Sequence, residues 1–254
     1  MSVARQVRAL GEEVTAAFQF LTRIPMPSSV YEADSLSRAV KFFPLVGLAV
    51  GAGAAGVHWL LVPHLNRSLT ALAVLIYFVL ITGGLHEDGL ADTADGFGGG
   101  WNRDQILNIL KDSRIGSYGA VALVLSLLGR YAMLAAMPLE HFAAYVISAQ
   151  VLSRWSSLPL SYVLSPARAQ EGQGARIAKL TSLRSLVFGS LFTLVVVGVL
   201  LRWSGVGPLV AAMLVTGLSG WFYYRRLGGV TGDCFGATNQ LTEIAVYVCG
   251  VWMA

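Results

Sequence analysis

Charge is scarce in this chain. Only 13% of its 254 residues are Asp, Glu, Lys or Arg, against about 25% in ordinary soluble domains. With 55% hydrophobic residues and a mean hydropathy of +0.63, the composition points to a polytopic membrane protein. Cysteine is scarce too. Cys234 and Cys249 stand alone, without metal or redox spacing, and read as buried or unpaired thiols. Neither a Ser-His-Asp set nor an HExxH pair is present, and no GxxxxGK[ST] loop occurs, so nucleotide hydrolysis of the usual kind has no support. No basic run with interleaved aromatics argues for nucleic acid as a partner. The first 40 residues lack an apolar core followed by a small-residue cleavage site, so no cleavable signal peptide is expected. No internal repeat is convincing.

What the chain has is long apolar runs. A span needs about 20 mostly apolar residues. Seven candidates follow, at 43–62, 69–85, 119–137, 142–164, 186–202, 207–224 and 239–254. The expected fold is all-α, a polytopic membrane helical bundle of about seven transmembrane helices forming a single integral membrane domain over 1–254. Lys and Arg fall on alternate connections. Arg5, Arg8, Arg23, Arg38 and Lys41 precede the first span. Arg103, Lys111 and Arg114, then Arg168, Arg176, Lys179 and Arg184, then Arg225 and Arg226 share its side, 14 residues against the two at Arg67 and Arg202. The positive-inside rule places the N-terminus and these connections in the cytoplasm. Residues 1–27 are not a span. Val3, Val7, Leu10, Val14, Phe18 and Leu21 form one apolar stripe, as in an amphipathic helix lying on the membrane interface or packed on the domain. Pro25 and Pro27 end it.

The densest polar segment is Gly83–Gly100, GGLHEDGLADTADGFGGG. It holds Glu87, Asp88, Asp92 and Asp95, seven glycines and no Lys or Arg. Asp88, Asp92 and Asp95 are spaced i, i+4, i+7, which on a helix is one face. Three unneutralised carboxylates repel one another unless a cation sits among them. Oxygen ligands at this density suit Mg²⁺ before Zn²⁺. His86 is a candidate base or orienting group, or a hydrogen-bonded interfacial histidine.

Two further segments belong on the same side. Lys111–Gly119 (KDSRIGSYG) mixes cations, hydroxyls and glycines just before a span, and Lys111 and Arg114 with free backbone N–H groups would cradle a phosphate. Gly228–Thr238 (GGVTGDCFGAT) leads into Asn239, Gln240 and Glu243. Asp233 and Glu243 are candidates to complete the metal shell. Alternatively Asp233 caps the last helix and Glu243 pairs with Arg130 or Arg154. These two arginines lie within apolar runs and should face the bundle interior, to neutralise an anionic substrate or to pair with carboxylates. Clustered carboxylates, glycine-rich turns and cytoplasmic cations fit phosphoryl or phosphonucleotidyl transfer.

With these residues in hand, FLTRIPMP (20–27), FPLVGLAVG (43–51), HEDGLADTADGFGGG (86–100), LKDSRIGSYGAVAL (110–123) and GGVTGDCFGATNQLTE (228–243) together resemble the cobalamin synthase family, also called adenosylcobinamide-GDP ribazoletransferase. The resemblance runs from about residue 17 to 250 with the motifs in order. It implies a Mg²⁺-dependent enzyme of the bacterial inner membrane, with its active site cytoplasmic. The enzyme would join adenosylcobinamide-GDP to α-ribazole, or to its 5′-phosphate, and release GMP. It implies Asp88, Asp92 and Asp95 as Mg²⁺ carboxylates, with Asp112, Asp233 and Glu243 as further ligands or base. Asp95 is the first choice as base, by analogy with other carboxylate-rich membrane phosphotransferases, with Asp233 and His86 as further candidates. Lys111, Arg114, Gly232 and Gly236 would hold the substrate. One departure is Glu87, where an apolar residue is expected. It leaves open whether Glu87 touches metal. Whether the chain forms a homo-oligomer is also left open. A lipid phosphotransferase of the CDP-alcohol type is an alternative, since DGLAD (88–92) loosely resembles DGxxAR, but Asp92 follows the Ala where the Arg should stand. A cation transporter is a third reading and would need carboxylates near the midplane.

Overall fold

A computed structural model describes residues 3–27, 35–167 and 181–252, and these are helical apart from short connections and one isolated bridge between Pro166 and Val230. In chain order the helices are α1 (Val3–Leu21), α2 (Ser35–Ala39), α3 (Phe43–Leu61), α4 (Arg67–Thr82), α5 (Leu85–Gly99), α6 (Arg103–Ile109), α7 (Ser117–Ala136), α8 (Leu139–Trp155), α9 (Ser157–Val163), α10 (Leu183–Leu201), α11 (Val206–Leu227) and α12 (Gly232–Trp252). Arg168, Arg176 and Lys179, which carry part of the charge bias, lie outside the described residues, as does the side chain of Arg5.

The polarity of the bundle is reversed relative to a soluble protein. Its outer surface is apolar: Val121, Leu125 and Leu128 on α7, Leu194, Val195 and Val199 on α10, and Leu214 and Leu218 on α11 are all exposed. Its interior holds Glu87, Arg130, Arg154, Gln240 and Glu243, all buried. Apolar side chains outward and paired charges inward are what a lipid surround selects. The protein is therefore an all-α membrane bundle.

The expected count of seven spans is not confirmed. Among the described residues three stretches qualify by length and apolar content, Ser37–Leu61, Ser117–Ala136 and Leu183–Leu227, and a fourth if α4 and α5 count as one bent span. The reason lies in where the polar groups sit. Helix α8 carries Gln150, Ser153 and Arg154, and α12 carries Asn239, Gln240 and Glu243. These face one another inside the bundle, where α8 packs on α12, so their polar groups lower the apolar content of both helices, and α8 with 17 residues is also short. Helix α4 has only 16 residues. The segment 142–164 breaks between α8 and α9, and the stretch at 183–227 is interrupted near Arg202, a non-glycine residue at φ 51.

Helix α1 packs its second half on the bundle. Ala16, Ala17 and Leu21 are buried against α2 and α3, and the Phe20 ring stacks on Phe43 at 5.7 Å. Glu13 is buried beside them and pairs with Lys41 at 2.8 Å and Arg38 at 3.2 Å. Leu10, further along the expected stripe, is left 47% exposed, so the stripe is only partly consumed by packing.

Candidate active site

The site begins with a turn. Helix α4 ends at Thr82, and Gly83 and Gly84 follow with φ 66 and φ 72. Two consecutive left-handed residues are strained for any side chain-bearing residue but not for glycine. The Gly83 N–H donates to Leu80 O at 3.3 Å and the Gly84 N–H to Val79 O at 3.0 Å, which closes the end of α4. Helix α5 then departs at 86° to α4. It therefore runs across the end of α4 rather than along it. Its sequence is acidic, but as a helix it places Asp88, Asp92 and Asp95 along one side, with Asp88 exposed, Asp92 half-buried and Asp95 buried.

Helix α12 crosses α5 at two glycines. A Cβ on Gly89 would stand 2.9 Å from Asp233 O and 3.1 Å from Gly236 Cα. Only backbone fits there, and the contact brings the start of α12, with Asp233, onto the acidic face of α5. A bridge holds that start in place: the Ala167 N–H donates to Val230 O at 2.9 Å and the Val230 N–H to Ser165 O at 3.0 Å. The Arg103 guanidinium ties the same region together, donating to Leu227 O at 2.9 Å and Ala167 O at 2.5 Å. The electrostatic result is legible at Asp92. Burial raises its carboxyl from the ordinary 3.8 to about 6, and the carboxylates of Asp88, Asp233 and Asp95 add to the rise. Asp88 and Asp92 also form part of the wall of a cavity of about 660 Å³, together with Glu87, Thr22, Arg23, Gly83, Gly84 and Ser113 among others.

The other expected residues are placed as follows. Asp95 accepts the N–H of Gly116 at 2.7 Å and of Gly119 at 2.8 Å. It serves as a remote cap for α7, and two of the backbone donors expected to cradle a phosphate at Lys111–Gly119, those of Gly116 and Gly119, are spent on it. Asp112 pairs with Arg114 at 2.6 Å, and that guanidinium holds the Asp112 carboxyl down at about 2. Lys111 and Arg114 are exposed and do not line the cavity. Gly236 is used at the helix crossing, and Gly232 opens α12. Thr231 donates its hydroxyl to Asp233 Oδ2 at 3.2 Å.

Glu243 is not brought to the aspartates. It lies in the bundle interior, where Arg130 Nε donates to it at 3.0 Å. Arg130 Nη1 also donates to Glu87 at 2.6 Å and to Gln240 at 3.0 Å, and Gln240 Nε2 donates to Glu87 at 3.2 Å. The extra carboxylate at Glu87 is thus neutralised by Arg130. Arg154 is held by Gln150 and by Ser153, the latter at 3.0 Å. His86 is buried with Nε2 unpartnered, away from the cavity lining. Among the described residues no three His, Cys, Asp or Glu side chains converge closely enough to hold an ion by themselves. Sequence reasoning missed Arg23 as a wall of the cavity. It was counted only as loop charge, although it sits in FLTRIPMP.

A family model described as cobalamin-5-phosphate synthase matches residues 13–251. Curated relatives named adenosylcobinamide-GDP ribazoletransferase are similar over nearly the whole chain. The one from Rhizobium johnstonii is 42% identical over 94% of this chain and 96% of its own length. Those from Shewanella frigidimarina and Ralstonia nicotianae are 41% and 39% identical, each over 91% of both chains. No solved structure matches.

Proposed function

This chain belongs to the cobalamin-5-phosphate synthase family, and from that membership we propose that it joins adenosylcobinamide-GDP to α-ribazole, or to its 5′-phosphate, releasing GMP at the cavity beside α5. As a family member it is a transferase of cobalamin synthesis. A ribazole hydroxyl attacks the phosphorus that bears the cobinamide arm, the P–O bond to GMP breaks, and the hydroxyl proton leaves to a carboxylate.

The observation that carries this placement is the α5–α12 crossing, which brings Asp233 to Asp92, itself in the wall of a cavity of about 660 Å³ with Asp88. Mg²⁺ is commonly held by one or two carboxylates together with substrate phosphates, and Asp88 and Asp92 suit that arrangement. The crowding at Asp92 is the like-charge repulsion that a divalent cation relieves. Such an ion would offset charge on the transferring and leaving phosphates. The remaining roles follow from what each group already does. Asp95 is engaged with the α7 start, Asp112 with Arg114 and Glu243 with Arg130. We assign the hydroxyl proton to Asp233, which the α5–α12 crossing brings to Asp92, and to Asp95 the positioning of Ser113–Gly119.

Arg103, Lys111, Arg114, Arg225 and Arg226, on the connections around α5 and the start of α12, support a cytoplasmic active site in a bacterial inner membrane. The test uses purified protein in detergent with Mg²⁺, adenosylcobinamide-GDP and α-ribazole, following GMP and the corrinoid product. Wild type releases both. Asp88→Asn releases neither while inserting normally, and full activity in that variant overturns the placement.

A further inference from the structure

The cavity is lined by three carboxylates, Asp88, Asp92 and the Arg130-paired Glu87, yet the proposed donor brings a pyrophosphate. A cation must answer it on the protein side. Lys111 and Arg114 are not in the wall, and Arg23 is the one Lys or Arg among the described lining residues. Its placement is built rather than incidental. The Arg23 N–H donates to Ile81 O at 2.7 Å, which docks the segment after α1 onto the end of α4. Thr22 Oγ1 donates to Phe18 O at 2.7 Å and accepts the Ile24 N–H at 3.3 Å, which sets the chain direction on either side.

The guanidinium lies across the glycine turn. A Cβ on Gly83 would fall 2.9 Å from both Cζ and Nη2 of Arg23, and closer still to Nε. The turn that swings α5 away from α4 is thus also the seat of this side chain. No ion pair among the described residues engages Arg23, whereas Arg130, Arg114 and Lys41 each have a carboxylate. An arginine held in place, exposed to a cavity and without a carboxylate partner keeps its planar fork for an incoming anion. Phosphate oxygens match that fork with two parallel hydrogen bonds.

We infer that Arg23 binds the pyrophosphate of the nucleotide-bearing substrate across the cavity from Asp88 and Asp92, a role that rests on the transferase reading. The specificity that follows is for a diphosphate-linked nucleotide rather than a monophosphate, because the aspartate side needs a cation to tolerate one phosphate and Arg23 receives the other.

Two measurements test it on the full chain in detergent. In turnover, Arg23→Ala raises KM for adenosylcobinamide-GDP roughly ten- to a hundredfold, the loss expected for a charged hydrogen bond. KM for α-ribazole stays within about twofold. Arg23→Lys recovers part of the loss, and millimolar guanidinium restores Arg23→Ala. Arg67→Ala, on the far connection, changes nothing. In equilibrium dialysis with GDP and Mg²⁺, without turnover, wild type binds GDP at least tenfold tighter than Arg23→Ala. Equal KM changes for both substrates, or equal GDP binding by the two proteins, overturns the inference. If wild type forms no product but still loses GDP on Arg23→Ala, the transferase reading falls and the Arg23 site stands.

Discussion

Replacing Asp92 by Asn should make the metal-free protein more stable while abolishing its activity. Asp92 is half-buried and crowded by Asp88, Asp233 and Asp95, so its carboxyl rises from 3.8 to about 6. A tenfold change in proton affinity is worth about 1.4 kcal/mol, so the rise sets a ceiling of ~3 kcal/mol on what its ionisation costs the fold. Asp92 opens on the cavity, and solvent screening brings this to about 1 kcal/mol. The sign follows from linkage. A carboxyl whose pKa is raised by folding contributes stability that is fully present below about pH 4 and lost as pH climbs through about 6. Above that pH the neutral Asn removes the cost. In EDTA at pH 8 the variant should therefore melt about 2–4 °C higher than wild type for a chain of this size, and the gap should close near pH 4. Adding Mg²⁺ should raise the wild-type midpoint and leave the variant unmoved, and GMP release should vanish. Thermal unfolding in detergent, followed by intrinsic fluorescence, reads all three conditions. A lower midpoint for the variant in EDTA at pH 8, or an equal Mg²⁺ response in the two proteins, would refute the reasoning.

Three other outcomes follow from the geometry. Asp95→Ala deprives the N–H groups of Gly116 and Gly119 of their acceptor and should cost about 1–3 kcal/mol. Amide hydrogen exchange should then quicken across Ser113–Gly119, and unchanged exchange there counts against the capping role. Arg130→Met leaves Glu87 and Glu243 buried without their partner and should lower stability by about 3–5 kcal/mol. The triple change with Glu87→Gln and Glu243→Gln should recover most of that in the same melting assay. Gly89→Ala drives a methyl group against Asp233 O, 2.9 Å away, and should cut kcat on the order of a hundredfold by separating the carboxylates while membrane insertion is preserved. Wild-type kcat in that variant would remove the crossing from the mechanism.

The membrane class was legible in composition, because a chain so poor in charge cannot clothe a soluble surface. The helical face of Asp88, Asp92 and Asp95 was legible in spacing, since periodicity along one helix is a local property. Pairing between segments is not local, and there the reading stopped. Asp233 and Glu243 look alike in sequence, two carboxylates in one glycine-led motif. They lie ten residues apart on α12, about 15 Å along the helix axis. The crossing at Gly89 and Gly236 fixes the first beside Asp92, and helix length then carries the second into the interior, to Arg130. Asp95 shows the same limit. Its place on the acidic face was evident, but the arrival of the α7 start, which claims both its oxygens, was not. Arg23 joins the cavity because its N–H docks on Ile81 O and its guanidinium lies against the Gly83 turn, both contacts between distant segments. The amino-acid order alone determined which residue types share a helix face and that the chain is built for a membrane. The tertiary structure decided which charges meet, because helix crossings and turns set the distances on which electrostatics depends.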